Sequence, residues 1–213
     1  MSGDARLAAI FDLVGHGGFL PFDAAIEVVP PATGAVAAAL SFSGHHVVAA
    51  DVEPAWVAER CPSGDLTAPM SPAFLQALGQ ETGAKPGAHD LVLCALSCAE
   101  EAPLYLQPVT DALDHPRLQR SLRYRTDIRV YRTGDGSGLL IVGRGLAGRW
   151  EAAFEVTPEA RGRGLGRKLA RSALSLIEPG EPLFMQVAIG NVASIRAVLA
   201  AGLVPIGGEV LFI

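Results

Sequence analysis

Long apolar runs are missing from this sequence. Half of its 213 residues are hydrophobic, yet no stretch approaches the roughly 18–20 uncharged apolar residues that a membrane helix requires, so no membrane partner is expected. Cysteine is scarce. Cys61, Cys94 and Cys98 are odd in number, and the Cys-x-x-x-Cys pair has no histidine pair nearby, a spacing that does not suit zinc. No metal is expected, and the thiols read as structural groups of a reducing compartment, Cys94 above all because it sits in an apolar run. The opening residues, Met1-Ser2-Gly3-Asp4-Ala5-Arg6, lack the basic, apolar and small-residue succession of a secretory leader, which makes a cytoplasmic location the expectation. Aromatic residues are few, 6%, and are not interleaved with the arginines as in nucleic-acid readers, so no nucleic acid is expected either. A G-x-S-x-G nucleophile motif is absent, which removes the esterase reading that Gly15-His16-Gly17-Gly18 superficially invites.

The charge is unevenly spread. Residues 1–115 hold 14 acidic side chains against only Arg6, Arg60 and Lys85, whereas residues 116–213 hold 14 basic against eight acidic. A basic half in an acidic chain predicts a small polyanionic partner there, or else a solvated basic face. The acidic half suits a cationic partner.

The first 88 residues are cut into short segments by Gly15-His16-Gly17-Gly18, Pro30-Pro31, Ser63-Gly64 and Lys85-Pro86-Gly87. Strands are expected at 25–29 and 46–51, and helices at 54–60 and 71–78, the second opened by Ser71-Pro72. This part reads as an α/β segment, 1–88, preceding a larger domain, 89–213. In the larger part a buried strand is expected at 90–95 and irregular chain at 103–108. A basic amphipathic helix follows at 115–125 and a strand at 126–132. Glycine-rich turns then join strands at 139–142 and 149–156 into an antiparallel meander. After it come helix 164–177, strand 183–188, helix 191–201 and a final pair of strands within 204–213.

The chemistry concentrates where strand 149–156 runs into Pro158-Glu159-Ala160-Arg161-Gly162-Arg163-Gly164-Leu165-Gly166-Arg167-Lys168. A helix start offers unpaired N–H groups and the positive end of its dipole, and glycines let the backbone approach phosphate oxygens closely. Arg161, Arg163, Arg167 and Lys168 add charge. Leu169 stands where a P-loop needs a hydroxyl, and the dinucleotide pattern fails because Arg167 or Leu169 occupies its last glycine position. The remaining pattern, R-x-x-G-x-G from Arg161 to Gly166, resembles the pyrophosphate loop of the GNAT superfamily of acyl-CoA-dependent N-acetyltransferases. The flanks agree: Val156 lies five residues before the arginine, Asn191 opens a helix after a second strand, and Gly202-Leu203-Val204-Pro205 precedes the final strand residues. The resemblance covers residues 149–213 firmly.

That resemblance implies a mixed α/β (α+β) sheet with an antiparallel meander, splayed central strands and flanking helices. It implies acetyl-CoA as co-substrate, held by backbone groups of Phe154, Glu155 and Val156. The loop Arg161, Gly162, Arg163, Gly164, Leu165, Gly166 and Arg167 would take the pyrophosphate, and Asn191 would lie on the pantetheine side. A small amine or peptide acceptor would attack the thioester directly, in a monomer or homodimer. Glu151 and Glu155, four apart on one strand, share a face and are the candidate bases; the alternative for each is an ordinary strand carboxylate. The customary acid, a tyrosine, is replaced by Val198, which leaves a non-catalytic acyl-CoA sensor as the rival reading. His16, His45, His46 and His115, with Trp56 and Trp150, are expected in structural roles.

Overall fold

A computed structural model of the chain describes residues 2–110 and 114–213. It is a mixed α/β protein that divides into two compact units. One holds the residues up to Val92 with Leu146–Gly148 and Ile206–Ile213, and the other holds Leu93–Gly145 and Arg149–Pro205.

The first unit begins with α1 (Gly3–Gly15), whose start is capped by Ser2 accepting from the Ala5 amide at 3.3 Å. This helix is not among the elements expected from sequence, although Leu7, Ile10, Phe11 and Val14 supply its buried stripe. Strands β1 (Ile26–Val29), β2 (Ala37–Phe42) and β3 (His45–Ala49) follow. β2 and β3 form an antiparallel hairpin, and β1 runs parallel to β3. Helices α2 (Pro54–Arg60) and α3 (Pro72–Thr82) each carry proline in the first turn, and Ser71 caps the second by accepting from the Phe74 amide at 3.2 Å. Their apolar faces enclose a core of Val57, Phe74, Leu75 and Leu78 with Ala37, Ala39, Val48, Val210 and Phe212.

The second unit takes up β4 (Pro86–Leu96) at its end, then β5 (Leu106–Pro108), α4 (Pro116–Tyr124), β6 (Thr126–Thr133), β7 (Gly138–Arg144) and β8 (Trp150–Val156). Helix α5 (Leu165–Ala173), β9 (Pro182–Ala188), α6 (Val192–Ala200) and β10 (Val204–Phe212) complete it, the last strand passing into the first unit. Strands β6, β7 and β8 form the expected antiparallel meander. Asp135 organises the first turn of that meander: its carboxylate accepts from the Thr133 hydroxyl at 2.7 Å and from the Ser137 amide at 3.0 Å. Leu118 of α4 packs on Leu139 and Ile141 of β7.

Three expectations are corrected. Residues 106–108 form a short edge strand rather than irregular chain, its proline tolerated at the sheet edge. Helix α5 stops at Ala173, four residues early, because Leu174, Ser175 and Leu176 turn back to carbonyls three residues before them. The final pair of strands is a single strand, β10. Gly207 and Gly208 do not turn the chain; Gly208 opens the pairing with β2, and a side chain on Gly207 would collide with the Ser41 carbonyl. Glycine is required there for close backbone approach.

Candidate functional site

The register between β7 and β8 is uninterrupted from Gly138↔Val156 to Arg144↔Trp150. Alternation along β8 therefore holds, and Glu151 and Glu155 share a face. On its other side β8 pairs with β9 in parallel, at Trp150↔Leu183 and Glu151↔Phe184. Beyond that pair the ladder stops, although both strands continue, β8 to Val156 and β9 to Ala188. The two strands thus diverge toward their C-terminal ends. Phe154, Glu155 and Val156 all lie in the diverging part, and the Val156 carbonyl accepts from Arg161 Nε at 3.2 Å.

The loop after β8 makes a single tight turn at Pro158–Ala160 and enters α5 through Gly162 (φ 73°) and Gly164 (φ 80°), both left-handed. Gly164 caps the helix without a side chain, and the first amide bonded back into the turn is that of Lys168, to the Gly164 carbonyl at 3.2 Å. Among the described residues, the amides of Gly162, Arg163, Gly164, Leu165, Gly166 and Arg167 have no protein acceptor. Arg161, Arg163, Arg167 and Lys168 are exposed around them. Gly166 faces the Phe154 ring, which a Cβ would approach to 3.1 Å. Asn191 caps α6, its Oδ1 accepting from the Ser194 amide at 3.2 Å. Val198 is fully buried.

The two carboxylates occupy different environments. Glu151 is 4% exposed. Its carboxylate accepts from Arg149 Nε at 2.9 Å and Arg125 Nε at 2.8 Å, and it lies over Gly145, where any side chain would displace it. Burial pushes its pKa up, but the Arg149 and Arg125 guanidiniums outweigh that and hold it at about 2. Glu155 is half exposed and accepts from Arg117 Nε at 3.0 Å, with His115 Nε2 at 3.8 Å. His115 Nδ1 accepts from the Arg117 amide at 3.2 Å and so caps α4; in the neutral ring this leaves the proton on Nε2, the nitrogen nearer Glu155.

The sequence pointed to both carboxylates but not to their partners. Arg117 and Arg125 read only as a basic helix face, and nothing in spacing alone pairs them with residues 26 to 38 positions away. Gln186 also joins the cluster, its Oε1 accepting from Arg125 Nη2 at 3.4 Å. The remaining expected residues are placed elsewhere. His45 Nδ1 meets Asp23 at 2.9 Å, and His46 is 1% exposed, with burial pushing its pKa down. Trp150 is buried between the guanidiniums of Arg144, at 3.9 Å, and Arg129, at 4.9 Å. Burial pushes the Cys94 thiol up to about 12 and the Cys61 thiol to about 11, while Cys98 is partly exposed. Among the described residues no group of three His, Cys, Asp or Glu side chains is placed to hold a metal, and no helix is long and apolar enough to cross a membrane.

No family model and no curated protein matches the sequence. Among solved structures the chain is similar to a GCN5-related N-acetyltransferase from Kribbella flavida, at 15% identity and a TM-score of 0.46, over 100% of this chain and 95% of that one. It is similar to a GNAT-family acetyltransferase from Colwellia psychrerythraea at 12% identity and a TM-score of 0.43, over 78% and 75% of the two chains. A tandem GNAT protein from the clavulanic acid biosynthesis pathway matches at 17% identity and a TM-score of 0.36, over 64% of this chain and 57% of that one.

Proposed function

We propose that this protein is a GNAT-type N-acyltransferase that moves an acetyl or other acyl group from acyl-CoA to an amine by direct attack. The observation that carries this reading is the junction of two features. The β8–β9 ladder ends at Glu151↔Phe184, and the loop that follows β8 presents six consecutive unbonded amides at a helix start ringed by cations. Such a loop suits a pyrophosphate. A strand with its ladder ended suits an extended arm carrying amide groups, which pairs with backbone as another strand would. Acyl-CoA joins those two chemistries in one molecule, and its thioester supplies the activated acyl group.

In this reading the amides of Gly162 to Arg167 hold the pyrophosphate, and Phe154 to Val156 offer backbone groups to the arm. Of the two carboxylates, Glu155 suits proton removal from the amine. It is accessible, and the Arg117 guanidinium beside it is itself partly exposed. Glu151 is enclosed and doubly paired, which suits it to holding Arg125 and Arg149 in place. The buried Val198 supplies no acid, so the thiolate departs unassisted or takes its proton from water.

The same valine favours a second reading, an acyl-CoA-binding sensor that carries out no transfer. Stabilisation by acetyl-CoA in a thermal titration is expected under both readings. Release of free thiol with a panel of amino acids, peptides and polyamines is expected only of the enzyme. Binding without thiol release across the panel would leave the sensor.

A further inference from the structure

We propose that Gln186 recognises the acyl carbonyl: its side-chain Nε2 donates to the carbonyl oxygen of the bound thioester. The inference rests on the acyl-CoA reading and assigns a residue to it that neither the loop nor the two carboxylates account for.

Gln186 lies on β9 two residues beyond Phe184, the last residue paired with β8. Alternation places it on the face of Phe184, which is the face of Glu151 and Glu155. Its Oε1 accepts from Arg125 Nη2. A guanidinium has only donors, so this bond fixes which end of the amide is oxygen and which is nitrogen. Arg125 is held in turn by Glu151 at 2.8 Å, so the amide is oriented by a partly buried charged pair.

The other end of the amide is anomalous. Nε2 is buried and has no hydrogen-bond partner among the described residues. A buried donor left unmade is costly, and native structures rarely retain one without a reason. An acceptor arriving from outside the chain resolves the anomaly. The fold says which kind. Phosphates seated on Gly162 to Arg167 lie past the open end of β8, so an arm pairing along Val156 to Phe154 runs back toward the closed end at Glu151↔Phe184. The reactive end of that arm, with its carbonyl oxygen, arrives beside Gln186. The cluster sets two guanidiniums, Arg125 and Arg149, against the one carboxylate of Glu151, and that surplus of positive charge suits a carbonyl oxygen whose negative charge grows as the amine attacks.

The test compares acetyl-CoA with S-ethyl-CoA, which keeps the arm but lacks the carbonyl, by calorimetric titration of the wild type, Gln186→Leu and Gln186→Glu. The wild type is expected to prefer acetyl-CoA by about tenfold, the difference made by one hydrogen bond in a buried site. Gln186→Leu should bring that ratio to about one while binding S-ethyl-CoA as the wild type does. Its melting temperature should change little, since the substitution removes an unsatisfied donor together with the 3.4 Å bond from Arg125. Gln186→Glu, which keeps the shape, should also lose the preference because it offers an acceptor to an acceptor. A wild-type ratio near one, or a ratio retained in both variants, overturns the inference while leaving the acyl-CoA site standing. Binding of neither compound to the wild type removes the acyl-CoA reading itself.

Discussion

The two ends of β8 have opposite characters. At Trp150 and Glu151 the strand is paired on both sides, buried, and tied into a charge network with Arg149 and Arg125. At Phe154, Glu155 and Val156 it is paired to β7, the ladder to β9 has stopped, and the carboxylate is half exposed. Two glutamates on one face of one strand therefore meet different surroundings. In the proposed reading the closed end fixes the geometry and the open end binds. A carboxylate neutralised by two guanidiniums in a dry setting is poorly suited to gaining and losing protons, whereas one at the mouth of a diverging strand pair is accessible to a substrate.

That contrast can be broken most sharply by removing each carboxylate in turn. Glu151→Ala leaves Arg149 and Arg125 uncompensated and is expected to cost about 3–5 kcal/mol in urea unfolding. Glu155→Gln should change stability by less than about 1 kcal/mol, as for other exposed pairs. In an amine acetylation assay, however, Glu155→Gln should lower kcat/KM by about 10²- to 10⁴-fold, the range of a lost general base. Equal stability losses at the two positions would erase the distinction between the ends.

A pH titration sharpens the same comparison. Glu151 is held at about 2 in the folded chain against an ordinary value of 4.5. Its stabilisation is thus fully present above about pH 4.5 and is lost as pH falls toward 2, an effect on the order of 3 kcal/mol. Unfolding free energy measured between pH 5 and 2 should fall more steeply for the wild type than for Glu151→Gln, in proportion to that loss. Parallel curves would contradict the depressed carboxyl.

The open end extends into the loop, where charge rather than burial sets the effect. Reversing two exposed cations, Arg163→Glu with Arg167→Glu, is expected to weaken CoA binding by about 10- to 100-fold in calorimetry, the scale of one or two charge-assisted contacts. The melting temperature should barely move. The smallest effect is at Gly164, whose φ of 80° strains any other residue although nothing crowds the position. Gly164→Ala should cost about 1 kcal/mol in urea unfolding.

Much of the second unit was legible in the sequence because its signals are local. Asn191 announces a helix start there, as Ser71-Pro72 does in the first unit, and the glycine-rich turns at 134–138 and 145–148 separate the meander strands. The glycine-rich entry into α5 was legible because glycine, arginine and a helix start coincide in six residues. The misses have a common cause. β2 is Ala37-Ala38-Ala39-Leu40-Ser41-Phe42, a run without β-branched residues whose strand character comes from burial between β3 and β10. Gly207-Gly208 looks like a break and is a close passage past β2. Arg117 of α4 pairs with Glu155 and Arg125, just past its end, with Glu151; the helix pattern revealed this segment as basic but not as facing β8. Gln186 carried no signal at all, since its significance lies in a hydrogen bond that is not made.

In the proposed reading an acyl-CoA lies along the open end of β8 with its pyrophosphate on the loop that follows. Amide hydrogen exchange with and without acetyl-CoA measures this most directly, because it reads the backbone groups themselves. Acetyl-CoA is expected to slow exchange at Gly162 to Arg167 and within Phe154 to Val156, while Trp150 and Glu151 at the closed end, paired on both sides, change little. Unchanged exchange in the loop and in the open end at saturating acetyl-CoA would contradict it.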